Sequence, residues 1–124
     1  VEDFVDDRVT GIGGIFFKAK NKDRLLEWYR EHLGVDVQEW GGATFEGKGH
    51  TTWSVFKQDS DYFGPGSQRY MINYKVPSLA RILTRLKEEG VTVDARIEES
   101  EFGKFGWIVD PEGNRIELWE PPAT

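Results

Sequence analysis

Glu117 is the residue of this chain best suited to do chemistry. It sits in Arg115-Ile116-Glu117-Leu118-Trp119. Strand alternation puts Arg115, Glu117 and Trp119 on one face and Ile116 and Leu118 on the other. The apolar pair belongs under a helix, so the carboxylate is expected to face a hollow. An inward carboxylate needs a cation or hydrogen-bond donors, and it can work as a base or as a polar anchor for a ligand. It can equally be a residue satisfied by water or a nearby lysine. His50 opens a strand after a glycine turn and is a second candidate acid or base, with no partner beside it in sequence. His32 lies on a helix next to Glu31 and is expected to face solvent. Lys18 and Lys75 hold matching places near the ends of two strands and are expected to be solvated, although the same positions open toward the hollow. Cysteine is absent, which removes disulfides, thiol nucleophiles and thiolate metal sites together. No Ser-His-Asp arrangement and no phosphate-cradling loop is visible. The glycine cluster Gly11-Ile12-Gly13-Gly14 falls inside a strand, where it marks a close backbone approach.

The elements that must position these groups follow from hydrophobic periodicity and its punctuation. Ile12–Ala19 reads as a buried strand. Asn21 caps a helix carrying Leu25, Trp28, Tyr29 and Leu33 at helical spacing, and Gly34 ends it. Strands are expected at Val35–Trp40, Ala43–Gly47 and Thr51–Lys57, separated by Gly41-Gly42 and by Gly47-Lys48-Gly49. Asp59–Gln68, with Tyr62, Phe63 and Gly64-Pro65-Gly66, reads as a surface loop placed to act as a lid. Tyr70–Val76 is the next strand. Pro77 and the cap Ser78 then start a helix with Leu79, Ile82, Leu83 and Leu86 on one face, and it stops at Gly90. Strands at Thr92–Ile97, Phe105–Asp110 and Asn114–Glu120 close the pattern, the last two joined by Asp110-Pro111-Glu112-Gly113-Asn114. The order β-α-β-β-β, loop, β-α-β-β-β is an internal repeat. It predicts an α+β fold of two tandem βαβββ modules, about 11–58 and 69–121, forming a curved mixed sheet around a central cavity. Residues 1–10 read as a tail, and 11–121 as a single domain.

Composition narrows the function. The chain has 124 residues, enough for one core without metal or disulfide staples. A net charge of -6, with no long basic run, excludes the electrostatic footprint of a nucleic-acid binder. No apolar stretch is long enough to span a bilayer, and no signal peptide is visible, so a cytoplasmic location is expected. The 5 Trp, 8 Phe and 4 Tyr supply flat apolar groups that suit a core and a small-molecule cavity alike. Alternation lines the hollow with Phe16, Ser54, Phe56, Met71, Asn73, Glu117 and Trp119, joined by Phe105 and Trp107 from the neighbouring strand.

Three segments carry a family resemblance: Gly14-Ile15-Phe16-Phe17 with Leu26-Glu27-Trp28-Tyr29-Arg30-Glu31-His32-Leu33-Gly34; Leu83-Thr84-Arg85-Leu86-Lys87-Glu88-Glu89-Gly90-Val91; and Gly106-Trp107-Ile108-Val109-Asp110-Pro111-Glu112-Gly113-Asn114-Arg115-Ile116-Glu117-Leu118-Trp119-Glu120. Together they resemble the vicinal oxygen chelate superfamily, which includes glyoxalase I, extradiol dioxygenases and the fosfomycin and bleomycin resistance proteins. The Asp-Pro-x-Gly-Asn turn before Ile-Glu-Leu is the most specific part. The resemblance implies one divalent metal held at four positions, which fall here at Gly14, Ser54, Met71 and Glu117. Family members supply His, Gln or Glu there, and of the four only Glu117 is of that type.

The expectation is therefore a metal-independent protein without a cofactor. It binds a small hydrophobic or aromatic molecule, as the sequestering resistance proteins do. The resemblance and uncovered sheet edges imply a homodimer. The alternatives are a glyoxalase-type lyase or isomerase, or a dioxygenase, with a relocated metal using Glu117 and His50, and a structural or regulatory module with a filled hollow.

Overall fold

A computed structural model describes residues 8–47, 49–65 and 67–123. The expected tail lies outside it over residues 1–7, as do Lys48 and Gly66 of the two expected glycine turns and the side chain of Leu33. The elements run β1 (Gly11–Ala19), α1 (Lys22–Leu33), β2 (Gly42–Gly47), β3 (Gly49–Lys57), β4 (Tyr70–Lys75), α2 (Leu79–Glu88), β5 (Thr92–Ser100), β6 (Gly103–Val109) and β7 (Arg115–Glu120). This is the α+β order expected, with one strand fewer in its first half. Two units divide the chain: a first of Gly14–Met71, and a second of Val1–Gly13 with Ile72–Thr124. No helix among the described residues is long and apolar enough to cross a membrane.

In the first unit β1 runs parallel to β3, from Gly14 opposite Thr52 to Ala19 opposite Lys57. β2 returns antiparallel along the other side of β3. Asn21 caps α1 by accepting the Arg24 amide at 3.1 Å, and Gly34 ends it at φ 66°. The helix buries Leu26 against Ala19 and Val55, flanked by Phe17, Leu25, Val37 and Trp53. Tyr29 packs edge-on against Trp53 at 4.9 Å. Trp28 departs from the expected inward face: it is 48% exposed, and the adjacent Leu26 is buried in its stead. A single apolar stripe on a twelve-residue helix has room for the row Leu25-Leu26-Tyr29, and this row excludes Trp28.

Val35–Trp40 forms no strand. The Val35 amide bonds back to Tyr29 O, Val37 to Val35 O and Gln38 to Gly42 O, while Gly41 reaches Gln38 O. These local bonds use the backbone groups that a ladder would need.

In the second unit β4 pairs parallel with β7, and β7 and β5 each pair antiparallel with β6. α2 starts at Ser78, whose Oγ accepts the Arg81 amide at 3.3 Å, and Glu120 accepts the Leu79 amide at 2.8 Å. Its Leu79, Ile82 and Leu83 bury with Val76 and Leu118, with Ile108 and Ile116 alongside. β5 continues past the expected Ile97 to Ser100 and turns back through Glu101-Phe102 into β6 at Gly103, with Ser100 Oγ accepting the Phe102 amide. The pairing of β5 with β6 shifts register between Val93 and Ile97. The turn before β7 closes on Asp110: Oδ1 accepts the Glu112 and Asn114 amides, and Oδ2 accepts the Asn114 side chain, each at 2.9 Å. These donors, the Asn114 side chain foremost, hold the Asp110 carboxyl below the usual carboxylate range.

Candidate functional site

Leu118 faces α2, so period two turns Glu117 to the opposite sheet face, as expected. The register then selects its neighbours. Asn73 lies opposite Glu117 on β4, and Trp107 lies opposite it on β6. Asn73 Nδ2 donates to Glu117 Oε1 at 2.6 Å, and Trp107 Nε1 donates to Oε2 at 3.0 Å. Glu117 is 1% exposed, Asn73 2%, and Trp107 is fully buried. A carboxylate withdrawn from water is thus supported at each oxygen by an N–H of the protein.

With its amide nitrogen committed, Asn73 turns Oδ1 toward Gly13 and leaves it without a hydrogen-bond partner. A Cβ on Gly13 would stand 1.9 Å from that oxygen and 2.8 Å from the Trp119 ring. The glycine cluster therefore does mark a close approach. One step along the face, Trp119 lies between Lys75 and Phe105 in the register. Its ring is nearly parallel to that of Phe105 at 6.1 Å, and Lys75 Nζ stands 5.9 Å from the Trp119 centroid. The Trp119 indole donates to Phe102 O at 2.7 Å.

Beyond Trp107 lies a charged group that sequence reading missed. The guanidinium groups of Arg96 and Arg115 each stand 5.1 Å from the Trp107 ring centroid. Arg115 donates to Asp94 at 2.8 Å, and Arg96 pairs with Glu98. Asp94 and Arg96 sit where β5 shifts register, and such irregularities re-aim side chains. The Arg96 backbone amide and then the Arg115 side chain hold the Asp94 carboxyl below the usual carboxylate range. Only the alternation of Arg115 with Glu117 hinted at this in the sequence.

The first unit presents its own face opposite α1, carrying Phe16, Lys18, Ser54 and Phe56 on β1 and β3. The Phe16 and Phe56 rings are 5.5 Å apart. Tyr62 stacks on Phe56 at 5.3 Å, and the fully buried Phe63 meets it edge-on at 5.1 Å. Lys18 is more buried than expected, 8% exposed over the whole residue, with its Nζ 5.3 Å from the Phe63 ring centroid. Met71 is buried in this unit. Lys18 stands three residues before the cap Asn21, as Lys75 stands three before the cap Ser78. Phe16 opposite Ser54 matches Asn73 opposite Glu117, so Ser54 is the counterpart of Glu117.

The two histidines stand apart from these faces. His50 is exposed on β3, its Nδ1 3.6 Å from Glu46 Oε1 on β2. His32 is exposed on α1 with its ring 5.1 Å from Trp28.

The family's divalent metal does not fit the residues present. A Cβ at Gly14 would lie 2.8 Å from the Thr52 backbone oxygen and 2.8 Å from the Phe16 ring, leaving no room for a ligating side chain. Met71 offers a soft thioether and Ser54 a neutral hydroxyl, poor donors for a hard cation. Each oxygen of Glu117 already accepts an N–H. No group of three or more His, Cys, Asp or Glu suited to a metal gathers among the described residues.

The chain belongs to the glyoxalase-like domain family, which it matches over residues 14–119, and so to the vicinal oxygen chelate superfamily. Among solved structures it is similar to methylmalonyl-CoA epimerase from Mycobacterium tuberculosis, with 20% identity and a TM-score of 0.68, covering 93% of this chain and 90% of that one. A variant of the Streptomyces coelicolor methylmalonyl-CoA epimerase, in complex with 2-nitronate-propionyl-CoA, gives 17% identity and a TM-score of 0.70 over 94% of this chain and 100% of that one. A Legionella pneumophila protein described as an NAD-dependent benzaldehyde dehydrogenase gives 18% identity and a TM-score of 0.62 over 88% and 98%. At these identities the likeness is one of fold. No curated protein matches the sequence.

Proposed function

We propose that this glyoxalase-like protein binds a small hydrophobic or aromatic molecule without a metal. The observation that carries this reading is the state of Glu117, whose two oxygens receive the N–H groups of Asn73 and Trp107. In each unit the proposed contact surface is the sheet face opposite the helix. The first unit offers Phe16, Ser54, Phe56 and Met71. The second offers Asn73, Phe105, Trp107 and Trp119 around Glu117, which serves as a polar anchor. Rings with a few polar groups between them are the usual wall of a small-molecule site.

Homodimerisation belongs to the same proposal. Ile15 and Tyr70 in the first unit, and Ile12 and Ile72 in the second, are large apolar side chains left exposed, and a second copy would cover such side chains.

Calorimetric titration with Ni, Zn, Mn and Fe(II) tests the metal-free reading, with expected heats no larger than dilution. Stoichiometric uptake at micromolar affinity, lost in Glu117→Gln, overturns it. Sedimentation of a monomer at micromolar concentration would refute the dimer.

A further inference from the structure

We infer that the open edge of β2 is a self-association site, where two copies of this chain join through paired β2 strands. This rests on the dimer reading and names the strand at which the copies meet.

β2 stands in the first unit as β6 stands in the second. Each runs antiparallel to the strand, β3 or β7, that lies parallel to the leading strand of its half. β6 has a neighbour on both sides, because β5, the strand that follows α2, pairs along its outer edge. The stretch that follows α1 is Val35–Trp40, and its backbone closes on local bonds instead. Among the described residues β2 therefore pairs with β3 alone, and the place that β5 fills in the second unit is open.

The backbone of β2 is oriented to receive a strand there. Gly41 O accepts the Val55 amide of β3, whereas Gly42 O turns the other way and accepts the Gln38 amide. This orientation alternates along an antiparallel ladder. The N–H and C=O groups of Thr44 and Glu46 thus point to the outer edge, along which no described residue beyond Gln38 bonds. Natural edges are commonly blunted by charge, proline or a bulge. β5 has such guards, in its register shift and in Asp94, Glu98 and Glu99. β2 keeps unbroken register with β3, has Glu46 as its only charged residue, and presents Phe45 at 52% exposure.

A second β2 meets this edge with two-fold symmetry. Antiparallel pairing about Phe45 sets Thr44 opposite the partner's Glu46 and Glu46 opposite the partner's Thr44, so the outward N–H and C=O groups of each match. Phe45 then faces the partner's Phe45 across a non-hydrogen-bonded pair, where side chains approach most closely. The Gly42 carbonyl stays with Gln38 in this register.

Cysteine is absent, so Phe45→Cys and Phe102→Cys each place a single thiol in the chain. Phe102 is 65% exposed on the turn between β5 and β6 and serves as the control. Under diamide, Phe45→Cys is expected to give a disulfide-linked dimer at least about tenfold faster than Phe102→Cys, because directly opposed cysteines lie within bridging distance. Thr44→Pro deletes an outward N–H and leaves the bonds to β3 in place. In sedimentation equilibrium it should raise the dimer dissociation constant at least about tenfold, with far-ultraviolet dichroism unchanged. If Thr44→Pro does not fold, the cross-linking comparison decides. Equal cross-linking of the two cysteine variants overturns the β2 contact. So does a folded Thr44→Pro that dimerises like the unaltered chain, and the dimer reading then stands on the exposed side chains of β1 and β4. An unaltered chain that sediments as a monomer at micromolar concentration removes the dimer reading and this proposal with it.

Discussion

Trp107 Nε1 donates a 3.0 Å hydrogen bond to Glu117 Oε2, between residues directly opposite each other on β6 and β7. Asn73 donates to the other oxygen, so both oxygens of the carboxylate carry an N–H of the protein. Trp107→Phe keeps most of the ring packing and deletes this donor. Loss of a hydrogen bond to a buried charged group should cost about 1.5–3 kcal/mol in urea unfolding. A change below about 0.5 kcal/mol, the scatter of neutral substitutions, would show that the bond does not support the carboxylate.

Gly13→Ala drives a methyl into Asn73 Oδ1 and the Trp119 ring, at 1.9 and 2.8 Å. Asn73 must then move off Glu117 or the strand must shift, and overpacking of this kind costs about 1–3 kcal/mol. Gly11→Ala is the internal control, since nothing lies within 4 Å of its added carbon. The two variants should differ clearly in thermal midpoint, and equal midpoints would contradict the packing described for Gly13.

Asp94 carries a pH-dependent share of stability. Its native carboxyl titrates below the unfolded value of about 4, chiefly through the Arg96 amide and then Arg115. A lowered native value means a contribution fully present above about pH 4 and lost as pH falls through the native value. The side chain is one-third exposed, so water screening limits the effect to about 1 kcal/mol or less. Asp94→Asn should therefore melt slightly below the unaltered protein at neutral pH, and the gap should close in acid. A gap that widens as pH falls reverses the sign and refutes the assignment.

Much of this was legible one residue at a time. The caps Asn21 and Ser78, the stops Gly34 and Gly90, and the turn on Asp110 are local devices, and each is where its neighbours require it. The turning of Glu117 away from α2 followed from period two alone. What escaped depends on contacts far apart in sequence. That Asn73 and Trp107 both aim at Glu117 is set by the registers of two strand pairs, which no local pattern encodes. The approach of Lys18 to the Phe63 ring likewise joins residues well apart along the chain. Val35–Trp40 has strand-like composition, yet its backbone bonds close locally.

Thr10 gives its amide and its hydroxyl to Lys75 O, and Gly13 packs on Asn73 and Trp119, so the leading end of β1 belongs with the unit completed by β7. That unit is drawn from two stretches of chain with the whole of Gly14–Met71 threaded between them. On a ribosome, residues 10–13 emerge early and must wait, undocked, until the far stretch has been made. The Gly14–Met71 unit, continuous in sequence, is under no such delay.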